Sequence, residues 1–156
     1  MKLSQIGIKT IFRAALLAGT LDGLAAVLMY VIDTGKDPMN IFRFIASGVF
    51  GSKAFEGGIT MGLWGIFFHY LIATGWTVLF FIAYPRIKPL SRNKYITGLS
   101  YGIIVWFIMN LVVLPLSNVP PLTMNRESIL IGMIVLMTCI GLPISIIVSR
   151  HYAKYQ

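Results

Sequence analysis

The sequence predicts an all-α polytopic membrane protein, with four transmembrane helices and a short amphipathic or re-entrant helix between the first and the second. Three observations carry this. The 156 residues are 57% hydrophobic and 12% charged, with a mean hydropathy of +0.82, whereas a soluble domain carries about 25% charged residues. Four apolar runs, roughly residues 11–32, 59–83, 95–116 and 128–149, each supply the ~20 residues needed to cross a hydrocarbon core. The segment at about 38–50 is apolar on one face but too short to span. Residues 1–156 are thereby absorbed into a single four-helix transmembrane domain, with no room for a soluble one.

The first run, Ile11 to Ile32, holds an aspartate, Asp22, close to its middle. A carboxylate near the bilayer centre is costly unless it is protonated, paired or facing water, so an intramembrane acid is by default a functional-site hypothesis. Ala15, Gly19, Asp22, Gly23, Ala26 and Tyr30 share one helical face, and Gly19-x-x-x-Gly23 is a spacing that lets helices approach closely. Lys2 and Lys9 ahead of this run imitate a signal peptide. Cleavage is not expected, because Asp22 interrupts the would-be apolar core and the run continues to Ile32.

The connection that follows, about residues 33–58, contains a helix start. Asp37-Pro38 places an N-cap acid before a proline at the first helical position. Met39, Phe42, Ile45, Ala46, Val49 and Phe50 then fall on one face. This segment is expected either to pack on the bundle as a lid or to dip back as a re-entrant element lining a pathway.

The second run, 59–83, stops at Tyr84-Pro85 and carries His69 near its centre. The third, 95–116, stops at Ser117-Asn-Val-Pro-Pro121 and carries Asn110. The fourth, 128–149, stops at Arg150 and carries Thr138. Gly58-x-x-x-Gly62 and Gly98-x-x-x-Gly102 repeat the close-approach spacing, so Gly19, Gly23, Gly58, Gly62, Gly98 and Gly102 are the expected helix-packing positions. No internal repeat stands out.

The charge pattern sets an orientation. Lys2, Lys9, Arg13, Arg86, Lys88, Arg92, Lys94, Arg150 and Lys154 flank the spans on one side; Lys36, Arg43, Lys53 and Arg126 lie on the other. By the positive-inside rule both termini are cytoplasmic. The net charge of +8 thus flanks spans and does not imply nucleic acid. The single cysteine, Cys139, excludes an intrachain disulfide and a CxxC site.

With a rise of about 1.5 Å per residue, Asp22, His69 and Thr138 lie near mid-span and Asn110 roughly 7 Å from it. Each span thus offers one polar group to a midplane band. Asp22 with His69 is the most specific pairing, because no Lys or Arg lies deep in a span, and such a pair can hold or pass a proton. The structural alternative is a set of hydrogen bonds that join helices. No metal site or cofactor is expected. Haem within one chain would need His69 and His151 together, yet they differ in depth by roughly 20 Å, and two His69 copies paired across a two-fold dimer are not expected either, a lone buried histidine being more often a hydrogen-bonded structural residue. An enzyme is not expected either: there is no HExxH, G-x-S-x-G or P-loop, and no second membrane carboxylate.

His69, in a span running into Tyr84-Pro-Arg-Ile-Lys88, and Leu114-Pro-Leu116 with Pro120-Pro121 closing the next span, resemble the YagU-like family of small bacterial inner-membrane proteins over roughly the last hundred residues. The family has a histidine at the same place but a longer first external loop. The resemblance implies a four-span bundle in a bacterial inner membrane and brings no activity with it. Two functions follow from the residues. The band of Asp22, His69, Asn110 and Thr138 forms a proton-linked or small-solute translocation site. Alternatively, the chain is a non-catalytic accessory or stabilising subunit of a larger membrane complex. The lipid bilayer is the expected partner, with a homo-oligomer or larger complex compatible with the Gly-rich faces.

Overall fold

The computed structural model describes residues 5–87, 92–120 and 126–155, residue 155 through its backbone alone. Lys2, Lys88 and Pro121, used above for orientation and for the family resemblance, lie outside the described residues. Every regular element among the described residues is helical. Helix α1 is Gln5–Thr34, α2 is Met39–Phe50 followed by a 3-10 turn at Gly51–Phe55, α3 is Gly58–Ala83, α4 is Lys94–Leu116 and α5 is Arg126–Lys154. All but α2 are long and apolar enough to cross a membrane. The expected spans lie within these four helices, whose ends extend a turn or less beyond them, except at the start of α1 and the end of α5. Phe12, Leu16, Leu24, Leu28, Leu63, Leu71 and Leu111 are exposed on the outside of the bundle, which is the surface that apolar helices turn towards lipid.

Small residues decide which helices touch. Gly7, Ala14, Ala15, Ala18, Gly19 and Gly23 make the buried stripe of α1, and α1 packs against both α3 and α5. A Cβ added at Gly19 would stand 3.0 Å from the Tyr70 ring, and one at Gly23 would stand 3.1 Å from His69 Nε2. Where α4 crosses α5, a Cβ at Gly98 would meet the Gly141 carbonyl oxygen and Leu142 Cα at 2.9 Å, and one at Gly102 would meet the Met137 and Leu136 backbone. Gly62 receives the Met39 side chain. Gly58 departs from expectation. Nothing lies within 4 Å of its Cβ position, and its φ of 59° makes it the left-handed residue that opens α3. Two close-approach glycines escaped the G-x-x-x-G pattern: Gly65 meets the Phe42 backbone and Gly141 meets that of Gly98.

Helices α4 and α5 each contain a π-helical segment, Met109–Val113 and Leu136–Gly141. Each precedes a proline, Pro115 and Pro143. A proline lacks the amide that would bond the carbonyl four residues back and its ring clashes there, so the ladder loosens into wider turns. The carbonyls that these prolines deprive of a donor are those of Leu111 and Cys139, four residues back. The polar side chains of the two π segments bond other carbonyls. Asn110 Nδ2 donates to the Trp106 carbonyl at 2.8 Å, and Thr138 Oγ1 lies 2.8 Å from the Ile134 carbonyl and 3.2 Å from that of Val135.

The packed core sits towards the termini, where Ile11, Ala18, Phe80, Phe81, Val105, Ile140, Ile144 and Val148 form one cluster. There α3 is tied to α5 by Tyr152, whose hydroxyl donates to the Phe81 carbonyl at 3.0 Å and whose ring stacks on Tyr84. Helices α3 and α4 do not pack closely on one another anywhere along their length. Helix α2 lies across the half away from the termini. Asp37 Oδ1 accepts the Met39 amide at its start, as expected of the cap. Phe50 packs among Trp64 and Phe68 of α3. On the other side, the Asn118 amide beyond α4 donates to the Gly48 carbonyl at 3.1 Å. Helix α2 therefore packs on the bundle and bridges the gap between α3 and α4.

Candidate functional site

Beneath α2 lies a cavity of about 460 Å³, within the ~300–1,000 Å³ common for small-molecule sites. Phe44, Ile45, Gly48 and Val49 of α2 roof it. Phe68, His69, Ile72 and Trp76 form the α3 wall, and Val105, Met109 and Val113 the α4 wall. Leu136 and Ile140 of α5 contribute from behind, and α1 contributes Asp22. Behind the lining residue Trp76, the Tyr101 hydroxyl donates to the Trp76 carbonyl at 2.6 Å, and the Tyr101 ring lies 4.7 Å from that of Phe80. Val49, Leu71 and Ile72 line the cavity and are also exposed. The cavity therefore reaches the molecular surface on the α2 and α3 side of the gap between α3 and α4, on the apolar outside of the bundle.

Asp22 and His69 meet here as the sequence suggests, but not as an ion pair. The ion pair present within 4 Å among the described residues is Arg43 with Asp37, at 3.4 Å. His69 Nε2 lies 2.7 Å from the Gly19 carbonyl. Only an N–H can bond a carbonyl, so Nε2 is the donor. The bond crosses from α3 to α1, one turn before Asp22, and the lack of a side chain at Gly23 lets the imidazole come that close. The edge of Phe42 closes on the ring from α2, with centroids 6.4 Å apart. The Asp22 carboxylate interacts electrostatically with His69 but has no hydrogen-bond or ion-pair partner among the described residues. Among the described residues no fully buried side-chain oxygen or nitrogen lacks a partner, so the Asp22 oxygens retain access to the cavity that Asp22 lines.

The remaining candidates fall elsewhere. Asn110 and Thr138 do not line the cavity. Each spends its polar group on a carbonyl of its own helix at a π turn, and Thr138 is exposed on the outside of α5. The four-residue band contracts to Asp22 and His69, because Asn110 and Thr138 turn to carbonyls of their own helices, which equal depth does not reveal. Ser117 is a polar lining residue that the sequence reading passed over; its hydroxyl donates to the Leu114 carbonyl at 2.7 Å. Its position in the Ser-Asn-Val-Pro stop signal masked it. His151 lies at the terminal end, where its Nδ1 is 2.9 Å from Thr10 Oγ1 and its ring rests on Phe81. Among the described residues, no three His, Cys, Asp or Glu side chains gather as a metal site would require.

No family model matches this chain, and no curated protein or solved structure matches it either. The functional reading therefore rests on the cavity.

Proposed function

We propose that this protein is a small bacterial inner-membrane carrier, its termini in the cytoplasm, in which Asp22 and His69 form a proton-linked site for translocating a small solute. One observation carries the reading: the sole carboxylate deep in the spans faces a cavity without a hydrogen-bond or ion-pair partner among the described residues. An acid whose task was to join helices would be expected to spend its oxygens on a neighbour. His69 supplies the second proton-exchanging group, fixed by its bond to Gly19, and the cavity that both line has room for several waters at about 30 Å³ each. Membership of the YagU-like family belongs to the same reading and rests on the layout around His69, Tyr84-Pro85 and Leu114-Pro-Leu116. The test is proton flux in proteoliposomes carrying an internal pH dye. The wild-type protein should dissipate an imposed pH gradient faster than empty vesicles. Asp22→Asn should retain the helical circular-dichroism spectrum and lose the flux. Equal flux from the variant ends the proposal.

A further inference from the structure

We infer that the cavity binds a lipophilic monovalent cation that arrives from the bilayer through the opening between α3 and α4. This rests on the reading of Asp22 as the charged group of the site and names the solute class. Four features of the cavity point to that chemistry. Its walls are apolar apart from Asp22, His69 and Ser117, so most of an occupant's surface must be hydrocarbon. The carboxylate offers one negative charge with no cation within 4 Å among the described residues, so an occupant carrying one positive charge is complementary, and an anion is repelled. Phe44, Phe68 and Trp76 line the same space, and aromatic faces attract desolvated organic cations. Finally, the exposed lining residues Val49, Leu71 and Ile72 put the opening on the face turned towards lipid, where a lipophilic cation concentrates and a hydrophilic one does not. A neutral lipid tail would fit the apolar walls but leave the carboxylate unmatched. A hydrophilic cation would match the carboxylate but lose its hydration against aromatic and aliphatic walls.

The experiment uses the intact protein in nanodiscs of phosphatidylcholine, with radiolabelled tetraphenylphosphonium as the cation and tetraphenylborate as its near-isosteric anion. Saturable binding of tetraphenylphosphonium, weakened about tenfold or more by Asp22→Asn, supports the inference. So does binding retained in Asp22→Glu, which keeps the charge. Ile72→Trp, placed at the opening and away from the carboxylate, should slow association. If Asp22→Asn does not fold, the wild-type protein still decides: tetraphenylborate bound as tightly as tetraphenylphosphonium overturns charge selection. Absence of saturable tetraphenylphosphonium binding alongside Asp22-dependent proton flux overturns this solute class and leaves the proton reading standing. Absence of both overturns both.

Discussion

Gly98→Ala tests the α4–α5 crossing, the contact that holds the rear of the cavity in place. A Cβ at residue 98 would lie 2.9 Å from the Gly141 oxygen and from Leu142 Cα, and 3.1 Å from the Gly141 carbonyl carbon. These are backbone atoms of a helix, so no rotamer change can relieve them. To restore ordinary contact at about 3.4 Å or more, α5 must retreat by roughly half an ångström along the crossing, and such overpacking costs about 1–3 kcal/mol. Alanine is also the better helix former by about 1 kcal/mol, which masks part of that cost. Gly75→Ala supplies the correction. It makes the same chemical change mid-helix in α3, and nothing lies within 4 Å of its Cβ. The difference between the two variants is therefore the steric cost alone, about 1–3 kcal/mol, even though an unfolded state in SDS that stays helical shrinks the propensity gain for both.

The assay is unfolding from mixed micelles by SDS titration, followed by tryptophan fluorescence. The expected order of stability is Gly75→Ala, then Gly98→Ala, then Gly102→Ala, whose added Cβ would meet the Met137 and Leu136 backbone more closely still. Gly98→Ala and Gly75→Ala agreeing within about 0.5 kcal/mol, the usual scatter for independent sites, would refute a backbone-close crossing.

Three further variants address the site and its roof. His69→Phe keeps a ring but removes the donor to the Gly19 carbonyl; it should cost about 1 kcal/mol, in the range of interhelical hydrogen bonds in bilayers, and abolish proton flux. Tyr101→Phe removes the bond to the Trp76 carbonyl behind the cavity wall; it should cost about 0.6 kcal/mol and speed hydrogen exchange in the adjoining turns of α3 and α4. Asp37→Ala removes both the Met39 amide cap and the pairing with Arg43. It should cost about 1 kcal/mol, read as faster amide exchange at Met39 and Asn40 with α3 unchanged.

The four spans were legible because bilayer thickness and composition fix them almost alone. The cap of α2 was legible because Asp-Pro has one good use at a helix start. Asp22 and His69 were legible as a pair because deep ionisable groups are so costly that few occur. Asn110 and Thr138 were misplaced because depth gives only one of three coordinates. Direction around the helix is the second, and bonding to the helix's own backbone is the third. Asn110 and Thr138 each turn to the carbonyl four residues back, that of Trp106 and that of Ile134. Gly58 failed for a related reason: its spacing from Gly62 matches a packing motif, yet it stands at the helix start, where a positive φ is what requires glycine.

The cavity itself was not legible, because it is an absence of contact between two helices and leaves no motif. Its causes can still be traced to residues. Gly62 and Gly65 bring α2 down onto α3 through Met39 and the Phe42 backbone, fixing the roof. The Gly98, Gly102 and Gly141 contacts draw α4 onto α5 and so away from α3. The large rings of Phe80, Trp76 and Tyr101 then prop α3 and α4 apart. Glycines draw α2 onto α3 and α4 onto α5, and aromatics hold α3 and α4 apart, which leaves a cavity open between those two helices and lined by Asp22 from α1. A site of this kind is built by unequal residue sizes around the ring of helices, and the acid alone would not have created it.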